Sequence, residues 1–171
     1  MKKEFKFRFE HILLTATSLG QIICAILGYR QPVDSLLRNI GWVNLWISGI
    51  LGCLPILTFR KYGGVKKGDS YIYTKKFVDQ GIYSIVRHPQ YLAGIIMSIG
   101  LFLIAPHWVS LILGIMNSIQ YYQSTIDEDK ELLKKFGKAY AAYQREVPRF
   151  NFLWGFVKLI HNRLNRKLNH S

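Results

Sequence analysis

Arg87-His88-Pro89-Gln90-Tyr91-Leu92-Ala93-Gly94 runs from charged and polar groups straight into an apolar stretch that ends near Ala105. Beyond the next apolar stretch stands an acidic cluster, Asp127-Glu128-Asp129. Arg87 offers a fixed charge and a bidentate fork, and His88 an imidazole that donates or accepts near neutral pH. Pro89 suits the first position of a helix, where its missing N–H costs nothing. The free N–H groups that follow it could hold an anion such as a carboxylate. The opposing carboxylates would attract an ammonium, a sulfonium or the hydroxyls of a ribose. A pocket with both signs of charge at a membrane boundary would suit a zwitterionic cofactor bearing an additional cation.

Each residue also has a plainer role. Arg87 could anchor a span at the cytoplasmic face, His88 could cap a helix, and Tyr91 could belong to an aromatic belt. Gly94 and Ser98 could merely let one helix approach Gly114 and Ser118. Glu128 and Asp129 could form a solvated helix face, as Asp127 does more simply. The combination of these residues at one depth is harder to reduce to packing and topology.

The elements that must position them are apolar segments. Of 171 residues, 50% are hydrophobic although 23 are Lys or Arg, so apolar and charged residues must be segregated. The pattern predicts an all-α integral membrane protein, a single domain over residues 1–171. Four transmembrane helices are expected at about 11–29, 41–59, 89–105 and 108–124, with amphipathic cytoplasmic or interfacial helices over 126–168. The first two apolar blocks approach the length that crosses a bilayer, and the last two need flanking residues to extend them. The first block lacks a small-residue cleavage site and reads as a retained span.

A net charge of +13 raises the possibility of nucleic acid, but its placement points to a membrane. In the four-span arrangement only Arg30 and Arg38 fall on the far side, so 21 of the 23 cations share one face. The positive-inside bias then places both termini in the cytoplasm. A nucleic-acid partner would call for a folded basic face with interleaved aromatics, which the sequence does not supply. Cys24 and Cys53 are single thiols within spans, and His11, His107, His161 and His170 have no metal-ligand spacing, so no metal site is expected.

The connection from Arg60 to Val86 reads as a long irregular segment, with Lys66-Lys67-Gly68-Asp69-Ser70 in a loop and Tyr71-Ile72-Tyr73-Thr74 as a short extended piece. Gln31-Pro32-Val33-Asp34 turns the first hairpin, and Pro55 falls within the second span. The acidic cluster is expected to open a helix with an apolar face of Leu132, Phe136, Tyr140, Tyr143 and Val147, broken at Gly137 and ended by Pro148. Residues 152–168 mix Leu, Ile, Phe and Trp with Lys and Arg and read as an interfacial helix on anionic lipid. Because only Pro106-His107 joins the third and fourth spans, residues at equal depth should face each other, position 88 opposite 125. Glu128 and Asp129 would then project about one turn, roughly 5 Å, beyond His88.

Gly81-Ile82-Tyr83, Arg87-His88-Pro89-Gln90-Tyr91-Leu92, Glu128-Asp129, Leu132, Phe136-Gly137, Tyr140, Tyr143 and Val147-Pro148-Arg149-Phe150 follow one another in an order and spacing that resemble the membrane methyltransferases. These are the enzymes related to isoprenylcysteine carboxyl methyltransferase and to phospholipid N-methyltransferases. The likeness covers about the C-terminal half, and the first two spans match only in being apolar. It implies an S-adenosylmethionine site formed by Gly81, Tyr83, Arg87, His88, Pro89, Tyr91, Gly94, Glu128 and Asp129, with Glu128 and Arg149 as catalytic candidates. Three positions depart from the usual pattern. Asp129 stands where a second glutamate is common, Ala93 where a glycine is, and Asn151-Phe152-Leu153 lacks the proline that often follows the Arg-Phe pair.

The implied function is methyl transfer from S-adenosylmethionine to a lipidic or amphipathic acceptor, a carboxylate or an amine, at the cytoplasmic face. A carboxylate could be oriented by Arg149, and an amine could lose its proton to Glu128 or His88. Two rivals are an NADPH-dependent membrane reductase of the sterol type and a non-catalytic membrane adaptor whose basic tail binds anionic lipid. The acceptor and the oligomeric state are left open by the sequence.

Overall fold

The computed structural model describes residues 2–63 and 77–168, all of whose regular structure is helical. The elements are α1 (Lys2–Gly28), α2 (Ser35–Tyr62), a 3-10 turn (Gly81–Ser84), α3 (Pro89–Ile104), α4 (Trp108–Phe136), α5 (Lys138–Glu146) and α6 (Phe152–Leu168). The extended piece expected at Tyr71–Thr74 and the Lys66–Ser70 loop lie outside the described residues.

Local chemistry sets the helix ends. Asp34 caps α2, its Oδ1 accepting the Leu37 N–H at 3.1 Å. Asn151 does the same for α6, accepting from the Trp154 N–H at 2.9 Å. Pro89 occupies the first position of α3. Gly137 has φ +55° and separates α4 from α5, the break expected from the sequence. Val147 is extended ahead of Pro148 and ends α5.

Two expectations need correction. The acidic cluster does not open a new helix: α4 runs unbroken for 29 residues, carrying Asp127, Glu128 and Asp129 in its interior. Nothing between Tyr122 and Asp127 breaks a helix, since Gln123, Ser124, Thr125 and Ile126 include neither Gly nor Pro. The connection after the second apolar block also starts later, because α2 continues through Arg60 and Lys61 to Tyr62. Basic residues in a last turn complement the helix dipole.

The chain forms two units. The first comprises Met1–Leu51 and Tyr91–Ile126. Ala25, Leu101, Ile104 and Ala105 form its apolar core, with Ile22, Leu45 and Met97 packed against it. A Cβ on Gly41 would lie 2.9 Å from the Ile104 backbone nitrogen, and one on Gly100 would lie 3.0 Å from the Gly41 carbonyl oxygen, so α2 and α3 touch backbone to backbone here. Across the same unit runs a buried polar ladder. The Gln21 amide donates to the Ser98 and Ser110 carbonyls at 2.8 and 3.2 Å and accepts from Asn117 at 3.0 Å. Thr17 in turn donates to Asn117 at 2.6 Å.

Among the described residues two helices are long and apolar enough to cross a membrane, Glu10–Gly28 within α1 and Ser35–Tyr62. Large apolar side chains such as Leu27, Trp46 and Ile50 stand exposed on them. α3, with 16 residues, extends about 24 Å, short of a hydrocarbon core of about 30 Å.

The second unit comprises Gly52–Gln90 and Asp127–Ser171. Its core is Tyr140, Tyr143 and Val147, with Phe77, Leu132 and Phe136 against them. This is the apolar face read from the sequence, with Phe77 added. The Phe77 ring lies 5.4, 5.8 and 5.1 Å from those of Phe136, Tyr140 and Tyr143.

Candidate active site

Asp129 lies at the centre of the second unit's polar chemistry. Its Oδ1 accepts from Tyr140 at 2.5 Å and from His88 Nε2 at 2.8 Å. Its Oδ2 accepts from Arg87 at 3.0 Å and from Arg149 Nε and Nη2 at 3.2 and 2.8 Å. The carboxylate is 6% exposed and is surrounded by donors from three directions: the segment before α3, helix α5, and the turn after Pro148. Two charged forks, a phenol and an imidazole occupy both oxygens of one buried carboxylate, a charge-assisted network of the kind that rigidifies its members.

His88 is clamped from both nitrogens. Nδ1 stands 3.4 Å from Glu128 Oε2, opposite the Nε2 contact with Asp129. Burial pushes the imidazole pKa down, but the hydrogen bonds and charges of Asp129 and Glu128 more than reverse this, and it lies above its ordinary 6.5. Burial also pushes Asp129 up, and donation from His88, Tyr140 and Arg149 overrides it, holding the carboxyl far below the usual range. Both shifts favour the imidazolium–carboxylate form of the pair. Tyr140 is held well above an ordinary phenol, by burial and then by the adjoining carboxylate, so it remains a donor.

Glu128 differs from its neighbour. Its side chain is 42% exposed, so one face of the carboxylate meets His88 while the rest is open. Arg149 is also partly exposed, at 27%. Arg87 is 10% exposed, and its Nε is buried with no partner among the described residues, although its Nη1 holds Asp129. Pro89 is fully buried beside it. His88 thus meets Glu128 and Asp129, the two clusters that the sequence register brought together.

The 3-10 turn carries the loop residues. Gly81 has φ +62°, and a Cβ there would meet the Thr58 side chain at 2.8 Å, so glycine is required twice over. The Tyr83 ring packs on Phe59 with centroids 5.1 Å apart, and its carbonyl accepts from the Tyr143 hydroxyl at 2.7 Å. Gly81 also lines a cavity of about 460 Å³, with Asp79, Gln80, Tyr143, Glu146 and Lys158 among the other walls. That volume falls in the range of small-molecule sites, roughly 300–1,000 Å³.

Arg87, His88, Pro89, Glu128, Asp129 and Arg149 thus gather in one unit, together with Gly81 and Tyr83. Tyr91 and Gly94 belong to the other. The Tyr91 ring lies 6.3 Å from that of Tyr121, and Gly94 abuts the Tyr121 ring so closely that a Cβ there would require the ring to shift. Sequence reasoning treated Tyr140 and Tyr143 as an apolar helix face and missed their hydroxyls. Burial of two tyrosines on the face that also holds Leu132 and Phe136 was the available signal, because a buried phenol must find a partner. Asp79, Glu146 and Lys158 carried no signal, being charged residues in segments with no fixed partner in the sequence.

Neither the curated proteins nor the solved structures include a match to this chain. The profile of the phospholipid methyltransferase family matches residues 40–139. That stretch begins within α2, earlier than the C-terminal half in which the resemblance was read, and it ends just before Tyr140. It contains Gly81, Tyr83, the Arg87-His88-Pro89 segment and the Glu128-Asp129 pair. With more than half of its length matched, the chain belongs to the phospholipid methyltransferase family.

Proposed function

We propose that the protein transfers a methyl group from S-adenosylmethionine to a lipidic or amphipathic acceptor at the cytoplasmic face of a membrane. Family membership supports methyl transfer to a phospholipid or lipid-like molecule. The observation that carries the reading further is the half-exposed Glu128 carboxylate beside the His88 ring that the buried Asp129 holds in place.

The residues fit the cofactor's chemistry. Glu128 presents acceptor oxygens for hydroxyls or for a cationic centre. The partnerless Arg87 Nε, close to the first turn of α3, suits a carboxylate. His88, Pro89, Gly81 and Tyr83 would supply walls. The cavity beside Gly81 adds Asp79, Glu146 and Lys158, charges of both signs for a zwitterion. S-Adenosylmethionine, when bound, supplies a methyl group activated by its sulfonium.

The protein's tasks are alignment and exclusion of water. In this reading Asp129 is a positioning residue, since both of its oxygens are occupied by protein donors. It fixes His88 and the Arg149 guanidinium. Arg149 then orients the acceptor from its exposed side, and Glu128 takes a proton where the acceptor is an amine.

The same reading makes residues 1–171 one integral membrane domain with both termini cytoplasmic. α3 and the apolar part of α4 complete four spans with α1 and α2. Clustering of 21 of 23 cations on one side supports that orientation. The test is transfer of labelled methyl from S-adenosylmethionine into extracted lipid by the reconstituted protein. Label should appear with the natural chain and be lost with Glu128→Gln. Label that is absent for the natural chain, or unchanged in the variant, contradicts the reading.

A further inference from the structure

The outer side of α6 takes no part in the network around Asp129. Leu153, Trp154, Phe156, Val157 and Ile160 are all exposed there, between 45% and 79%. At about 100° per residue these five positions share one arc of the helix, and Gly155 falls opposite its centre. Gly155 is buried with its missing side chain against the Ile85 carbonyl and Pro148. Lys158 and Leu159 flank that inner side and line the 460 Å³ cavity. The helix therefore has a narrow face pressed onto its own unit and a broad apolar face left uncovered by the described residues.

Five contiguous large apolar groups, a tryptophan among them, form the kind of patch that marks an interaction surface. The charge of the helix selects the partner. Its sequence contains Lys158, Arg163, Arg166 and Lys167 and no acidic residue. A second copy would bring like charge to like charge, whereas an anionic lipid surface is complementary to both the apolar arc and the cations. Two helices of this chain are long and apolar enough to cross a membrane, so a bilayer is the surface at hand.

We propose that α6 docks its Leu153–Ile160 face into an anionic bilayer surface, and that this docking holds in place the cavity wall made by Gly155, Lys158 and Leu159. Only the second clause rests on the cofactor reading of the cavity.

The experiment uses the full chain with Trp154 as sole tryptophan, through Trp42→Phe, Trp46→Phe and Trp108→Phe, in nanodiscs of zwitterionic or anionic lipid. Lipid brominated near the headgroup end of its acyl chains should quench Trp154, more strongly in anionic discs. Combining Arg163→Gln, Arg166→Gln and Lys167→Gln should weaken the lipid contact about fivefold per charge removed and so lessen the anionic preference. Free access of iodide to Trp154 with no bromolipid quenching would overturn the docking, as would cross-linking of Trp154→Cys to a second copy in preference to lipid.

S-Adenosylhomocysteine affinity measured in the same discs should be several-fold higher in anionic lipid. Docking without that lipid dependence overturns the coupling. Absence of S-adenosylhomocysteine binding in every lipid would count against the cofactor reading, while Trp154 quenching still reports on docking.

Discussion

Asp129 is the residue on which the rest of the site depends. Asp129→Asn removes the charge that balances Arg87 and Arg149 and holds His88 in a buried setting, and should cost about 3–5 kcal/mol. Tyr140→Phe deletes one hydrogen bond to the same carboxylate while leaving its charge paired, and should cost about 1.5 kcal/mol. Detergent-solubilised protein unfolded with denaturant would read both, and the order should be Asn well below Phe. The signs of the two pKa shifts define a pH window. His88 is raised, so its contribution is complete below 6.5 and fades as pH rises through the higher folded value. Asp129 is lowered, so its contribution is complete above about 4 and fades as pH falls through the depressed value. Stability should therefore be greatest between these limits. His88→Gln should flatten the alkaline limb in pH-dependent unfolding midpoints.

At the scale of elements, α6 is held by a contact that admits only glycine. Gly155→Ala would drive a methyl group into the Ile85 carbonyl, and should cost about 1–3 kcal/mol by overpacking. Proteolysis after Pro148 should quicken in that variant while α1 and α2 remain protected. The sequence made the break at Gly137 and the stop at Pro148 legible, because a positive φ and a missing N–H act locally. It made the apolar face of α5 legible for the same reason, since period alone fixes it. The continuity of α4 through the acidic cluster was not legible. A change from apolar to charged residues resembles a boundary in hydropathy, yet nothing in the backbone chemistry of residues 123–126 ends a helix there. The polar ladder from Thr17 through Gln21 to Asn117 was hidden as well, because it pairs residues nearly a hundred positions apart.

Over the whole molecule, composition and charge placement pointed to helices and a membrane, and motif order pointed to the family. Which carboxylate faces outward was beyond the sequence. Glu128 and Asp129 are adjacent and chemically alike, and only the donors Arg87, Tyr140 and Arg149, brought from distant segments, bury one and leave the other open. The central claim is that this difference defines a cofactor site. Equilibrium binding of S-adenosylmethionine to the purified protein, competed separately by S-adenosylhomocysteine and NADPH, tests it most directly with Glu128→Ala alongside. The account predicts saturable binding displaced by S-adenosylhomocysteine but not by NADPH, and weakened at least tenfold in the variant, about 1.4 kcal/mol. Displacement by NADPH, or equal affinity in folded Glu128→Ala, would contradict it.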